Sequence, residues 1–280
     1  MNRSKSIDLR RGVVYIVLVL VSFLCLFWFY ALFINATRSN DDLTMGFSLI
    51  PGTAVIKNWN SMLHCSLPVI NSMKNSLIVA LASSVLCSYF SIMTAYGIHA
   101  YAFKGRKLFY TLIVGFMMIP KQVTVLGFVD LVGKMHLKDS FLPLILPEIA
   151  APVVFYYMIK YMESTLPMSL VEAARIDGAS ELYIFNRVVL PLMRPAFAVQ
   201  MIFKFVESWN NYFIPALILN DNSRKTMPIV ISLLRSSNFA DYDNGLVYMV
   251  IAFSILPSVI IYLFLSRFII SGITQGGVKG

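Results

Sequence analysis

Val13 to Ile34 reads VVYIVLVLVSFLCLFWFYALFI, 22 residues without a formal charge. A membrane core about 30 Å thick needs about 20 such residues to be crossed as a helix, so this stretch is predicted to span. Arg10-Arg11 precede it, which raises an export signal as the alternative. An h-region runs only about 7–15 residues, however, and no small-x-small cleavage site follows Phe33-Ile34, so a retained membrane helix is the better reading. Working outward, stretches of comparable length and apolarity occur near 76–98, 108–130, 140–161, 195–219 and 247–270, giving six in all. Backbone groups in lipid must be satisfied within the segment. The predicted fold is therefore an all-α polytopic membrane protein with six transmembrane helices.

Composition agrees. Of the 280 residues, 58% are hydrophobic and 13% charged, with a mean hydropathy of +0.73; a water-soluble domain carries about 25% charged residues. Lys and Arg orient the bundle, because loops on the cytoplasmic side hold an excess of them. With the N-terminus inside, thirteen fall on the inner side (Arg3, Lys5, Arg10, Arg11, Lys104, Arg106, Lys107, Lys160, Arg175, Arg187, Arg194, Arg267, Lys279). Eight fall outside (Arg38, Lys57, Lys74, Lys134, Lys138, Arg224, Lys225, Arg235). The N-in, C-in arrangement makes 1–12 a cytoplasmic N-terminus, 13–270 the membrane domain with a cytoplasmic loop at 162–194, and 271–280 a cytoplasmic tail. The net charge of +9 then reads as topology and attraction to membrane lipid, with no nucleic-acid partner implied. Cys25 and Cys87 lie in predicted spans and Cys65 in an outer loop, a pattern that suggests neither a disulfide pair nor a metal site. Asn35-Ala36-Thr37 fits a glycosylation sequon but abuts the membrane and carries little weight.

The loop at 162–194 can be read residue by residue. Pro167 ends the preceding segment, Ser169 and Glu172 have capping-box spacing, and Gly178 stands where a helix stops in a left-handed residue. A short helix over about 170–177 is predicted. Ser180 can cap a second helix with Glu181 in its first turn and Pro191 after its last. Leu170, Ala173, Ala174 and Asp177 share a helical face, and the two alanines allow close approach of another chain. Glu172 has two readings: the carboxylate of the capping box, worth about 1 kcal/mol and replaceable by Gln, or a charge facing a partner.

Glu172-Ala173-Ala174, three residues, Gly178, nine residues, Val188, one residue, then Leu190-Pro191: this spacing resembles the EAA loop of ABC-importer permeases. Asn75-Ser76-Leu77, Ala95-Tyr96-Gly97, Met118-Ile119-Pro120 with Gln122-Val123, Ser208-Trp209-Asn210 and the tail Gly272 to Gly280 carry the resemblance along nearly the whole chain. They narrow it to the maltose-type carbohydrate-uptake family. Lys121 departs from the pattern, where proline or a small residue is expected. The resemblance implies a type I ABC importer permease fold in a bacterial or archaeal plasma membrane. It also implies several partners: a second, MalF-like permease subunit, a dimer of ATPase subunits and an extracellular solute-binding protein. Glu172, Ala173, Ala174, Asp177, Gly178 and Ala179 would dock the ATPase, and Gln275, Gly276 and Gly277 would reach into the ATPase dimer interface. ATP and Mg would be bound by the partner ATPase. In keeping with this, the chain contains no Gly-x-x-x-x-Gly-Lys-Ser/Thr phosphate loop and no clear catalytic or metal motif, so no cofactor, metal or catalytic residue is assigned to it.

Charges inside an apolar span cost about 2.5–3.5 kcal/mol near the bilayer centre and so face a cavity or partner. Lys121, Glu148, Lys204 and Glu207 qualify. Lys204 and Glu207 can pair at three-residue spacing, followed by Trp209, Asn210 and Asn211. An aromatic face with amides suits a sugar, making Glu148, Lys204, Glu207, Trp209, Asn210 and Asn211 candidates for the substrate pathway; the alternative is that they join helices. Pro120, Pro143, Pro147, Pro152, Pro215 and Pro257 are predicted kinks. The outer loop 220–246, with Asp221, Arg224, Lys225, Asp241 and Asp243 around Met227 to Leu234, is either a solvated connector or a contact for the binding protein. Import of an oligosaccharide is the expected function. Other readings are import of another polar solute such as a glycerophosphate, or an autonomous channel or intramembrane enzyme.

Overall fold

The computed structural model describes the backbone of residues 2–236 and 243–276, and the side chains within 11–266 other than Lys121 and 237–242. Among the described residues all regular structure is helical. The chain divides into two compact units, one of residues up to Val69 with Ile231–Ile255, the other of Ile70–Val230 with the residues from Leu256 on.

In the first unit, α1 (Asn2–Ala36) is followed by α2 (Asn40–Thr44) and α3 (Val55–His64). From Arg11 to Tyr30 every side chain of α1 except Phe27 is exposed, Trp28 at 74%, so lipid or another subunit must cover them. Its C-terminal end is held tightly. Asn58, 1% exposed, donates from Nδ2 to the carbonyls of Ala36 and Arg38, both at 2.9 Å. The Ala36 carbonyl is an orphan C-terminal acceptor of α1. The Gly52 N–H donates to Thr37 Oγ1 at 2.8 Å, so the sequon threonine is engaged in packing. Ser39 and Asp42 form a capping box on α2.

The second unit begins with α4 (Val69–Ala100), then α5 (Arg106–Phe116) and α6 (Lys121–Lys134). The predicted span 108–130 is therefore two helices. Met117, Met118 and Ile119 close three-residue turns, and Pro120, which has no N–H, is extended at φ −62°, ψ 128°. At 1.5 Å per residue neither piece alone reaches about 30 Å. The next segment is also composite: α7 (Leu142–Ile145), a 3-10 turn at Leu146–Ile149, two non-helical alanines, then α8 (Pro152–Thr165) with Pro152 at its first position. After it come α9 (Met168–Ile176), α10 (Glu181–Ile184), a π-helical turn at Phe185–Val189, and α11 (Leu190–Leu192). The chain then bends by 80° into α12 (Arg194–Trp209).

The predicted span 195–219 also ends early. Asn210 closes α12 by donating from its side chain to the Val206 carbonyl at 2.9 Å, and α13 (Phe213–Ile218) follows separately. Next is α14 (Met227–Ser236), and α15 (Asn244–Gly276) closes the described chain. By length and composition four segments can cross a membrane: Arg11–Ala36, Val69–Ala100, the composite Leu142–Thr165 and Asn244–Ser266. The bent pair Glu181–Leu192 with Arg194–Trp209 makes a fifth if it counts as one span. The tail expected to start after 270 is helical to Gly276, while Gly277 lies outside the described residues.

The 220–236 region is no loose connector. Asn75 donates to the carbonyls of Ser223 and Lys225 at 2.8 and 2.9 Å, and Ser76 Oγ accepts from Met227 N at 2.8 Å. Met227 and Val230 are fully buried. Asp139, at φ 59°, accepts from Asn220 N and Asp221 N, tying the turn after α6 to the same loop. Asp241 lies outside the described residues.

Candidate functional site

The loop after α8 is built from a proline, a glycine and a serine. Pro167, at φ −68°, ψ 128°, caps α9. Helix α9 therefore starts two residues earlier than predicted, and Ser169 falls inside it, so the Ser169–Glu172 capping box does not form. Glu172 is exposed and free of that structural task. At the other end Gly178, at φ +79°, takes the left-handed position. Ala179 N donates to Ala174 O and Gly178 N to Arg175 O, each at 3.0 Å, the two bonds of a Schellman motif. A Cβ at Gly178 would meet nothing within 4 Å, so only the backbone demands glycine. Gly178→Val is expected to destabilise the loop by about 1–2 kcal/mol, read as faster limited proteolysis at Arg175 and Arg187.

Val171 is fully buried and Ala174 packs on the core of Met158, Met162, Ile184, Phe185 and Val189. Glu172, Ala173, Ile176 and Asp177 are left open on the opposite face. Ile176 is 85% exposed, an apolar knob that sequence reading missed because burial of a single isoleucine has no local signal. Gly178 is exposed and Ala179 half-buried beside the turn. The second helix starts as predicted, with Ser180 Oγ accepting from Tyr183 N. It does not stop before Pro191. The π turn lets Leu190 N reach Phe185 O, and the helix continues through Pro191 to Leu192.

A second missed feature lies behind this loop. Arg175 Nε donates to Glu181 Oε1 at 2.7 Å, Tyr96 OH donates to Glu181 Oε2 at 2.9 Å, and the Arg175 guanidinium lies 5.1 Å from the centre of the Tyr101 ring. Hydrogen bonds from Arg175 and then Tyr101 hold the Glu181 carboxyl down at about 2, against 4.5 ordinarily. Because that value is lowered by folding, the contribution is fully present above pH 4.5 and lost only as pH falls through about 2. Loop protection against trypsin should thus be unchanged between pH 8 and about 5.

Among the membrane candidates, Glu148, Lys204 and Glu207 come together. Lys204, 4% exposed, contacts the Glu148 carboxylate and sits 3.0 Å from Glu207 Oε2, whose side chain is 53% exposed. The helix break at Ala150-Ala151 positions Glu148 here. Trp209 is elsewhere: 5% exposed and stacked on Phe205 at 5.6 Å and 17°. Its ring is a packing surface in this chain, so it presents no open face for a sugar. Asn210 is exposed and Asn211 half-buried in the turn after α12. Of the tail candidates, Gln275 and Gly276 end α15, and Gly277 lies outside the described residues.

The described chain is thus a polytopic helical membrane protein that displays a short helix between two of its candidate spans. Residues 88–274 match the family of binding-protein-dependent transport system inner membrane components, and the chain belongs to that family, the permeases of ABC importers. It is 33% identical over 283 residues, covering 100% of both chains, to the arabinooligosaccharides transport system permease protein AraQ of Bacillus subtilis. It is 30% identical over 278 residues, covering 96% of this chain and 99% of the other, to the sn-glycerol-3-phosphate transport system permease protein UgpE of Yersinia pestis. Its fold is similar to a chain in the crystal structure of a bacterial ABC transporter involved in the import of the acidic polysaccharide alginate. There the TM-score is 0.80 at 23% identity, covering 95% of this chain and 98% of that one.

Proposed function

We propose that this chain is the membrane-spanning subunit through which an ATP-driven importer moves an oligosaccharide across a bacterial or archaeal plasma membrane. It works beside a second permease subunit, two ATPase subunits that bind ATP and Mg, and an extracellular binding protein. In this reading the six segments cross the membrane N-in and C-in, α5 with α6 and α12 with α13 acting as interrupted spans. The observation that carries the reading is the open face of α9. A helix anchored from behind by Val171, and presenting Glu172, Ala173, Ile176 and Asp177, fits a cleft in another subunit. ATP-driven closure of that cleft would push α9 and rotate the helices on either side of it. Gln275 and Gly276, at the end of α15, and Gly277 beyond it would add a second contact with the ATPase.

The charge cluster supports a polar solute. Glu207 is its half-exposed carboxylate, and sugar hydroxyls can donate to a carboxylate. Asn210 and Asn211 would add amides to the same pathway. The 30% identity to a glycerol-3-phosphate permease favours the second reading, a glycerophosphate importer. Reconstitution of the complex with its binding protein separates the two. An oligosaccharide should stimulate ATP hydrolysis and glycerol-3-phosphate should not. Glu172→Ala should cut coupled uptake by about tenfold or more at unchanged membrane level. Uptake indifferent to ATP and to Glu172→Ala would overturn the importer reading.

A further inference from the structure

Gly178 is a weak joint. It links α9 to α10 in a left-handed conformation with no side chain and no neighbour within 4 Å of a Cβ position. A force applied to α9 alone would fold the chain at that point before reaching α12. The Arg175–Glu181 ion pair bridges the joint, one partner three residues before Gly178 and the other three after it. Tyr96, 85 positions away on α4, donates to the second carboxylate oxygen. Beside this polar contact Phe185, 2% exposed, packs on Tyr89 at 5.3 Å and Tyr96 at 5.9 Å, and Tyr89 OH donates to Asn186 Oδ1 at 3.2 Å. Tyr89 and Tyr96 lie seven residues apart on one face of α4, about 10 Å along the axis. Two anchors at that spacing fix the angle of the loop as well as its position.

We propose that Arg175, Glu181 and Tyr96 form a strut that makes α9, α10 and the C-terminal end of α4 move as one body, so that a push on α9 reaches α4 directly. This rests on the reading that an ATPase drives α9. Glu181 is a positioning residue, acting through α9 and α4 without touching solute. Ion pairs at exposed sites are weak, but here each oxygen of one carboxylate has its own donor and the guanidinium lies over an aromatic ring, a geometry that resists shear.

The test uses the whole reconstituted complex. The readouts are solute taken up per ATP hydrolysed, and the distance between spin labels at Ser169→Cys on α9 and Thr94→Cys on α4, with Cys25, Cys65 and Cys87 replaced. In the wild-type strut the 94–169 distance should be the same without nucleotide and with ATP trapped. Glu181→Gln should broaden that distance and lower uptake per ATP by about tenfold, while membrane level and basal hydrolysis persist. Should Glu181→Gln fail to assemble, Tyr96→Phe removes one hydroxyl and should lower uptake per ATP by about threefold. A wild-type distance that changes with nucleotide, or a variant fully coupled in a coupled wild-type background, overturns the strut alone. A wild type whose uptake ignores ATP overturns the importer reading and the strut with it.

Discussion

Lys204→Met is expected to lower stability by about 3–5 kcal/mol, because it removes the buried ammonium of a charge cluster and takes that partner from the Glu148 carboxylate. Thermal unfolding in detergent and the amount of chain reaching the membrane would register the loss. Glu207→Gln, at the exposed rim of the cluster, is expected to cost about 1 kcal/mol or less. The asymmetry is the point: Lys204 is 4% exposed and the Glu207 side chain 53%. Adding Glu148→Gln to Lys204→Met should recover part of the loss, since it removes a carboxylate that no longer has a counter-charge. If the two single variants melted together, the cluster would be an incidental surface contact.

Gly52→Val is the second large effect. A Cβ at Gly52 would sit 2.7 Å from the Arg38 Cα and from the Thr37 carbonyl oxygen. Both are backbone atoms, so no side chain can swing away. Overpacking of this kind costs about 1–3 kcal/mol and at a rigid backbone contact reaches the top of that range or passes it. Gly245 is comparable, its Cβ position falling 2.7 Å from the Asn58 amide that holds the end of α1. Displacing Asn58 would not be enough for Gly245→Ala, because the Arg38 carbonyl oxygen lies 2.8 Å from the same Cβ position, so this variant should also be strongly destabilised and lose the two Asn58 hydrogen bonds as well. Expression yield and melting temperature of the two variants would rank them; a Gly52→Val chain as stable as wild type would mean that the 37–54 turn does not pack as described.

Apolar length made the spans legible, and spacing made the α9 loop legible. What the proline positions would do was not. Pro120 ends a helix, Pro191 continues one through a π turn, and Pro257 lies inside an unbroken α15. All three lack the same N–H, and the outcome depends on what the freed carbonyl finds nearby, which is a property of the fold. The same limit hid the strut. Glu181 read as a first-turn acid at a helix N-terminus, a local rule that it also satisfies, while Tyr96 lies 85 positions away. Ser169 illustrates the opposite error: a spacing that satisfied the capping rule lost to Pro167, whose fixed φ starts the helix earlier.

The π turn at Phe185–Val189 carries one residue more than an α-helical turn would need. It therefore works as a phase setting between the segment before it and the segment after. Deleting a single residue there would restore the ordinary ladder and leave the flanking segments close to their present phase, whereas the same deletion from an uninterrupted α-helix would rotate everything upstream by about 100° about the helix axis. A one-residue deletion in this turn should therefore be better tolerated than one within α8 or α12, with Glu181 still reaching Tyr96.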